Sequence, residues 1–464
     1  MTHRGLIAFV VLAACSASDP SSAVQGTDDD TGAPTSETGP GESTGADDAQ
    51  PGDSTGTVPA SVTFHRDIRP LVERHCVTCH TPGNIAPFPL QTYDEVLALR
   101  ESVAAQVSAL TMPPWGMESD CADFEGDPSL SEAERELFSA WVDGGAPEGD
   151  PGEFVALDPI VLPELSRTDL TLELAEPYTP TLMPDEYRCF LMEWPESEVT
   201  FVTGLQFEPG NISMDHHAIA YIIAPEDVAT YDELDAAEPG PGYTCFGGPS
   251  GGAALDFIAS RWLGAWAPGA RVGDLPEGTG LRIDPGSKIV LQMHYNTLAA
   301  DGQPDQSRMH YRLDAEVERE AVMLPWADPG WIGGTMPIPA GTDDTVHTFA
   351  LDPTEVIDLL SGAIPAGVPL EIFSSMHHMH RRGSRGVQSI ERADGSSECL
   401  LSIPNYDYNW QHDFRRTQSV IVNPGDQLRL ECQWDNADNA QTVNWGDGTD
   451  DEMCLGIHYL AVAQ

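Results

Sequence analysis

Basic side chains are scarce in this sequence. Its 464 residues include 22 Lys and Arg against 74 Asp and Glu, which gives a formal net charge of −52 at pH 7. Proteins that bind DNA, RNA or anionic lipid through charge need patches of Lys and Arg. The composition therefore argues against a nucleic-acid partner and against charge-driven binding to a membrane.

A long apolar run is also missing, so no segment is expected to cross a membrane as a helix. The apolar stretch at residues 6–14 follows Arg4, is too short to span a bilayer and leads into Cys15. Residues 12–15 read Leu-Ala-Ala-Cys and resemble a bacterial lipobox. We therefore interpret residues 1–15 as a lipoprotein signal peptide with Cys15 as the lipidated residue; a plain signal peptide is the alternative.

On this interpretation the protein is an exported lipoprotein of the cell envelope, periplasmic or anchored at the outer membrane or surface. It would meet the membrane only through its lipid. Residues 16–58 hold nine acidic residues, no Lys or Arg and almost no apolar side chains. Such a segment cannot bury enough surface to offset the entropy lost on ordering, so it is predicted to be a disordered acidic tether.

Residues 59–150 have helical patterns. Apolar residues recur at helical spacing between residues 93 and 110, and residues 67–72 open a helix before Cys76. Ser131 and Glu134 have the spacing of a capping box ahead of an apolar stretch, and Gly144 follows as a stop signal. These signals predict a small all-α domain.

That domain contains the sequence Cys-Val-Thr-Cys-His at residues 76–80. In a C-x-x-C-H site the two thiols attach a haem covalently, and the histidine is placed to bind its iron. We therefore predict one haem c attached to Cys76 and Cys79, with His80 as an iron ligand. A redox-active or zinc-binding cysteine pair is the alternative.

A second iron ligand is expected downstream of this motif. Met112 lies in a Met-Pro-Pro-Trp loop that could hold its thioether rigidly, whereas Met117 and His65 are competing candidates. A core methionine is the alternative role for Met112. With its Phe-His-Arg-Asp-Ile lead-in at residues 64–68, the segment resembles a cytochrome c domain.

From about residue 155 onward the pattern changes to short β-type runs, broken by Pro, Gly, Asp and Asn. Such runs occupy residues 199–207, 218–223, 288–295, 371–376 and 418–422. No helical run of comparable strength is evident there. This region is therefore predicted to form antiparallel sandwiches or jelly rolls.

Histidines of the β region cluster in three groups, and a methionine follows near the end of the chain: His216 and His217; His294; His377, His378 and His380; and Met453. Because side chains alternate along a strand, His378 and His380 can grip one ion while His377 faces away. The adjacent His216 and His217 could share an ion only if a bulge or bend lies there. Imidazole with thioether and no thiolate suits copper that cycles between Cu(I) and Cu(II), whereas zinc more often adds cysteine or carboxylate.

In order and separation these groups resemble the copper type II, ascorbate-dependent monooxygenases, the family of peptidylglycine α-hydroxylating and dopamine β-monooxygenases. The resemblance covers roughly residues 160–464. It implies two jelly-roll-like subdomains, at residues 155–305 and 306–464, each carrying one copper ion across an open cleft. It implies an electron-transfer copper at His216, His217 and His294, and an oxygen-activating copper at the catalytic residues His378, His380 and Met453.

Six of the nine cysteines lie outside the lipobox and the haem motif, and an even number in an exported protein predicts disulfides. The resemblance implies the pairs Cys189–Cys245 and Cys432–Cys454, the latter bracketing the last hairpin. Cys121 and Cys399 remain. They could form a disulfide with each other or be two free thiols, and the sequence leaves both alternatives open.

Three positions depart from the pattern of peptidylglycine hydroxylases, in which Arg, Asn and Tyr surround the oxygen site. Here they hold Met376, Leu455 and Ile457, so the anchors for a peptide carboxylate are missing. We therefore expect O2-dependent hydroxylation of an activated C–H bond in a small, weakly polar molecule. Electrons would come from ascorbate or a redox protein, with the fused haem as a route. The alternative is a non-catalytic lipoprotein that relays electrons or binds copper.

Overall fold

The computed structural model describes residues 61–82, 86–114, 116–118, 121–245, 247–250, 260–267, 270, 273–299, 302–446 and 448–464. These residues belong to one compact unit, Gly56–Gln464. The predicted signal peptide with Cys15, the tether, and Trp115 of the proline-rich loop lie outside the described residues. Among the described helices, none combines the length and apolar character needed to cross a bilayer.

The N-terminal part is helical, as its pattern predicts. After a π-helical turn at Phe64–Ile68 come α1 (Arg69–His75), α2 (Tyr93–Ser108) and α3 (Glu132–Asp143). The predicted capping box is confirmed, because Ser131 Oγ accepts from Glu134 N and the Glu134 carboxylate accepts from Ser131 N. Phe138 and Trp141 of α3 are buried in the core of this segment.

The rest of the chain is mainly β, as predicted. The described strands are β1 (Leu170–Glu173), β2 (Asp185–Glu193), β3 (Thr200–Glu208), β4 (Asp215–Ile223), β5 (Tyr243–Thr244), β6 (Arg261–Trp266), β7 (Gly273–Asp274), β8 (Thr279–Ile283), β9 (Lys288–Asn296), β10 (Arg308–Asp314), β11 (Arg319–Trp326), β12 (Thr345–Leu351), β13 (Leu370–His378), β14 (Gly383–Glu391), β15 (Ser397–Ile403), β16 (Asp413–Val422), β17 (Gln427–Trp434) and β18 (Leu455–Val462).

Two α-helices interrupt the strands in the described part of the β region, and the sequence interpretation missed both. They are α4 (Val228–Ala237) and α5 (Pro353–Ser361). The signals for α5 were present: Asp352 caps its start, Pro353 occupies the first turn, and Gly362 follows with a left-handed backbone (φ 64°).

The strands form one large sheet and one small sheet. The main path of the 14-stranded sheet runs β1-β10-β3-β8-β11-β6-β4-β9-β2-β5, and β13 joins it through β18, which pairs with β11. The small sheet has the order β12-β17-β14-β15. Strand β10 follows the predicted subdomain boundary at residue 305, yet it pairs with β1 and β3 from the first part.

Two disulfides that the resemblance implied are present, Cys189–Cys245 and Cys432–Cys454. The second does not bracket a hairpin, because Cys432 lies on β17 of the small sheet while Cys454 precedes β18 of the large one. It therefore ties the two sheets together beside Met453.

The helical segment docks on β15 and β16. The backbone N–H of Glu125 donates to Arg415 O (2.8 Å), and Phe124 packs among side chains of the β region. Cys121 and Cys399 form a disulfide across this contact, so of the two alternatives that the sequence left open the bridge is the one present. The bridge closes a loop of 278 residues and fastens the segment to the β region.

Candidate copper and haem sites

The first histidine group lies on two paired strands, β4 and β9. His217 stands directly opposite His294, and the register shifts between Asp215 and His217. His216 is therefore the extra residue of a β-bulge, the distortion that the sequence required. The bulge lets neighbouring side chains turn to the same side of the sheet.

The geometry of this group fits a metal ion. The Nδ1 atom of His217 lies 3.3 Å from Nδ1 of His216 and 3.3 Å from Nδ1 of His294. Two nitrogens bound to one ion at about 2.0 Å and a near-tetrahedral angle would be about 3.3 Å apart. Three convergent Nδ1 atoms are therefore spaced as ligands of a common ion.

A carboxylate fixes one of these rings. His294 Nε2 lies 3.0 Å from Asp185 Oδ1, and because a carboxylate can only accept, Nε2 carries the proton. Nδ1 of His294 is then the lone-pair nitrogen that faces the other two rings. This hydrogen bond also lowers the pKa of Asp185, which keeps it ionised. Thr449 donates to the other oxygen of the same carboxylate (3.1 Å).

Burial keeps the imidazoles of His216 and His217 neutral. It lowers the pKa of His216 to about 4 and that of His217 well below its ordinary value. Tyr187 stacks on His294 with ring centroids 4.2 Å apart, and Tyr408 stacks on His216 at 4.9 Å. Neutral imidazole is the form that binds metal, so the burial prepares the ligands.

The second group lies where β13 ends and where β18 begins. The rings of His378 and His380 have centroids 5.1 Å apart, and both line a cavity of about 80 Å³ with Met453. His378 Nδ1 donates to Gln411 Oε1 (2.5 Å), and His380 Nδ1 donates to Asp451 O (3.1 Å). Each Nδ1 is thus protonated, which leaves Nε2 as the nitrogen for a metal.

His377 faces away from this cavity, as strand alternation predicts. Its ring lies 3.2 Å from Cys432 Sγ and 3.1 Å from Gln388 Nε2, in the space between the two sheets. Glu452, which is buried beside Met453, accepts from the backbone N–H of His380 (2.9 Å) and from the Trp434 ring (2.9 Å). Glu452 therefore positions the chain on which His380 stands.

The two groups adjoin each other. The rings of His217 and His378 have centroids 6.3 Å apart, and both line the 80 Å³ cavity. Among the described residues, the two groups therefore border one small cavity and do not face each other across the open cleft that the resemblance implied. Both groups lie in the large sheet, where β11 pairs with β18 of the second group and with β6, which pairs with β4 of the first.

The small cavity between the groups is mostly apolar. Met376, Leu455 and Ile457, the three positions at which the sequence lacks a carboxylate anchor, all line it. Trp262 and Trp266 complete the apolar wall. The three residues on which the expectation of a weakly polar substrate depends therefore face this cavity.

The Cys-x-x-Cys-His motif opens onto a second, larger cavity of about 710 Å³. Cys76, Cys79 and His80 line it, and neither cysteine is part of a disulfide. His80 Nδ1 donates to Phe88 O (3.0 Å), so Nε2 is the nitrogen available to an iron. The residues present therefore fit a covalently attached haem.

Of the three candidates for a second iron ligand, only Met112 lines this cavity. Met117 packs in the contact cluster around Phe124, and His65 lies 3.4 Å from the Glu148 carboxylate. The buried His412 lines the same cavity and was not considered from the sequence.

Sequence reasoning missed the residues that orient the histidines, chiefly Asp185 and Gln411. Gln411 lies 33 positions from His378, and Asp185 lies 109 from His294. Neither has a local motif, so no sequence signal could have found them without the pairing of β2 with β9 and the course of the chain before β16.

Comparison with known proteins supports the interpretation of the second group. Residues 336–463 match the family model described as "Copper type II ascorbate-dependent monooxygenase, C-terminal domain". This part of the chain is therefore similar to a copper monooxygenase domain. The match contains His378, His380 and Met453.

Several curated proteins are similar to this chain over less than half of its length. Dopamine beta-hydroxylase of Canis lupus familiaris is 28% identical over 222 residues, which are 45% of this chain and 33% of that protein. Its Bos taurus counterpart is 29% identical over 216 residues, 44% and 33%. DBH-like monooxygenase protein 1 of Homo sapiens is 28% identical over 201 residues, 41% and 31%. The chain thus spans about a third of the length of these relatives.

Proposed function

We propose that this protein is a copper-dependent monooxygenase that hydroxylates an activated C–H bond of a small, weakly polar molecule with O2. The observation that carries the proposal is the pair of adjoining ligand sets, one with three convergent Nδ1 atoms and one with two Nε2 atoms and a thioether. Copper bound there would supply one-electron redox chemistry and O2 activation. The similarity to copper monooxygenases supports the same conclusion.

The two histidine groups would bind two copper ions with different roles. His216, His217 and His294 would hold the electron-donating copper, and Asp185 keeps the His294 ring turned toward it. His378 and His380 would hold the oxygen-side copper with Met453, whose soft sulfur favours Cu(I).

The apolar wall between the sites would orient the substrate and exclude water. Met376, Leu455 and Ile457 offer no charge or hydrogen-bond donor to a carboxylate. Small benzylic compounds or amines fit this surface better than a peptide terminus does.

The helical segment would carry a haem c on Cys76 and Cys79, with His80 and Met112 as iron ligands. The support is the shared cavity and the protonated Nδ1 of His80. The haem would pass electrons from ascorbate or a redox protein toward copper, and the predicted lipid on Cys15 would hold the protein at the cell envelope.

The test uses the matured protein, loaded with copper and supplied with reductant, while O2 uptake and hydroxylated product are measured over small benzylic and amine substrates. Met453→Leu keeps the volume but removes the sulfur. We expect product formation to fall at least about 100-fold, since loss of an outer partner alone costs about 10–100-fold.

Met309→Leu is the matched control. It changes a buried methionine on β10 and should keep activity. Product formation that survives Met453→Leu would show that the oxygen site is assigned wrongly. O2 uptake without any hydroxylated product in the unaltered protein would favour the non-catalytic relay instead.

A further inference from the structure

Gln411 and His412 are neighbours in the chain that reach two different cavities. Gln411 lines the 80 Å³ cavity of the candidate copper ligands. His412 lines the 710 Å³ cavity that contains Cys76, Cys79 and His80. Both side chains are buried, so one peptide bond separates groups that face the two candidate redox centres.

Gln411 is held in one orientation. Its Nε2 donates to Tyr408 O (2.8 Å), which turns Oε1 toward His378. Oε1 accepts from His378 Nδ1 at 2.5 Å, a short contact to a ring whose other nitrogen faces the copper site. The side chain thus connects the backbone at position 411 to a metal ligand through a single hydrogen bond.

His412 is packed on the other side. Its ring lies between those of Trp410 and Phe414, with centroids 4.9 and 5.9 Å away. Trp266 lines both cavities and closes the space beside this connection. Buried, closely packed side chains therefore fill the space between the two candidate centres at this point.

We propose that the Gln411–His412 pair is the electronic connection through which the haem reduces the copper at His378, His380 and Met453 directly. This inference rests on the proposed function, because it needs both redox groups. The step moves one electron: ferrous haem is oxidised to ferric, Cu(II) is reduced to Cu(I), and no atom or proton is transferred. Gln411 is a positioning residue, since it touches a ligand and not the copper.

A competing connection leads to the first group. Trp410 also lines the haem cavity, and Tyr408 stacks on His216 at 4.9 Å. Trp410, Tyr408 and His216 all border a separate, more open cavity of about 840 Å³. A path along these rings depends on contacts between rings beside open space. The proposed path runs instead through one peptide bond and one hydrogen bond. The structure therefore favours the path through Gln411 and His412.

The experiment follows haem re-oxidation in the complete protein. The matured protein is loaded with two cupric ions under anaerobic conditions, and a laser-excited flavin reduces the haem. The haem visible band then reports re-oxidation, and electron paramagnetic resonance reports loss of Cu(II). We expect an intramolecular phase whose rate does not depend on protein concentration.

Gln411→Leu and His412→Leu should each slow this phase at least about tenfold; because loss of a metal ligand's partner can also weaken copper binding, each variant is titrated to two bound copper ions before the measurement. Gln411→Glu, which keeps an acceptor oxygen, should restore much of the rate. The haem spectrum, the haem potential and the bound copper must stay unchanged, which a merely structural role would not allow. His75→Leu, a buried histidine lining the same haem cavity, is the matched control.

His378→Ala should abolish the fast phase, while His217→Ala should leave it. The opposite pattern, with the phase lost in His217→Ala or Tyr408→Leu and kept in Gln411→Leu, would overturn the inference in favour of the first group. A protein that attaches no haem would overturn the haem part of the proposed function and this inference together. The absorption spectrum shows that failure before any rate is measured, so the two failures are distinguishable.

Discussion

The two histidine groups use the same side chain but present opposite ring nitrogens. In the first group the Nδ1 atoms converge, and the Nε2 of His294 donates to a carboxylate. In the second group the Nδ1 atoms of His378 and His380 donate to neutral oxygens, so that Nε2 faces the cavity. The partner on the far side of each ring decides which nitrogen is the ligand.

This difference also gives the two groups different electrostatic character. The Asp185 carboxylate makes its histidine a more basic ligand, which suits Cu(II). The second group has only amide and carbonyl partners, together with the soft sulfur of Met453, which suits Cu(I). These partners support the proposed division, with electron donation at the first group and O2 activation at the second.

The largest effect should come from two adjacent histidines that face opposite ways. We expect His378→Ala to reduce the bound copper from two ions to one, because it removes a ligand. His377→Ala should keep both ions but lower the free energy of unfolding by about 1–3 kcal/mol, since the buried Gln388 loses a partner. Copper analysis and urea unfolding measure the two outcomes, and equal copper loss in both variants would refute the assignment.

A second prediction concerns pH, because both groups bury neutral imidazoles. Burial lowers the pKa of His216 to about 4 and that of His380 to about 3. An unfolded histidine titrates near 6.5, so the stability from neutral burial is present above pH 6.5 and is lost as pH falls toward 4 and 3. Each such histidine contributes up to about 1.4 kcal/mol per pH unit in that window.

Burial of carboxyls acts in the opposite direction, since it raises the pKa of five described groups: Asp215, Asp305, Glu320, Asp413 and Glu452. Burial raises the pKa of Glu452 to about 7 and that of Asp215 to about 8, so they destabilise the folded state as pH rises. Five described histidines have a pKa lowered to 3–4 by burial: His216, His377, His380, His412 and His458. Burial also lowers the pKa of His75, His217 and His378, so eight described histidines outnumber the five carboxyls, and urea midpoints of copper-free protein should rise from pH 5 to 6.5. A flat or falling profile would contradict this.

A smaller effect is expected when the hydrogen-bond partner of a histidine is changed in only one of the two groups. Asp185→Asn keeps an oxygen near His294 but removes the charge, and we expect copper affinity of the first group to fall about 10–100-fold. The second site should be unaffected. Asp284→Asn, a surface carboxylate paired with Arg282, serves as the control. Competitive titration with a Cu(II) chelator measures the change, and weakening of both sites alike would argue against separate groups.

The limits of sequence reasoning follow from the same comparison. Strand alternation was enough to predict that His378 and His380 share a side, and the adjacency of His216 and His217 was enough to demand a bulge. Both are local properties. The choice of ring nitrogen was not predictable, because it depends on Asp185 and Gln411, which only tertiary structure brings near.

The fold, like the candidate sites, is only partly predictable from local sequence. The capping box at Ser131 and the strand β9 were predictable from spacing alone. The helix α5 was missed although Asp352 and Gly362 mark its ends, because its nine residues lie within a β-type region. The closeness of the two groups depends on the pairing of strands that lie far apart in the sequence, which no local pattern encodes.

The smallest effect should come from the aromatic ring that stacks on the first group. Tyr187 lies nearly parallel to His294, with an angle of 6° between the planes. Such pairs contribute about 0.5–1.5 kcal/mol, so Tyr187→Leu should weaken copper binding at the first group by up to about tenfold. Tyr187→Phe keeps the ring and should leave the affinity unchanged. Equal weakening by Leu and Phe would show that the hydroxyl, and not the stacking, supports the ligand.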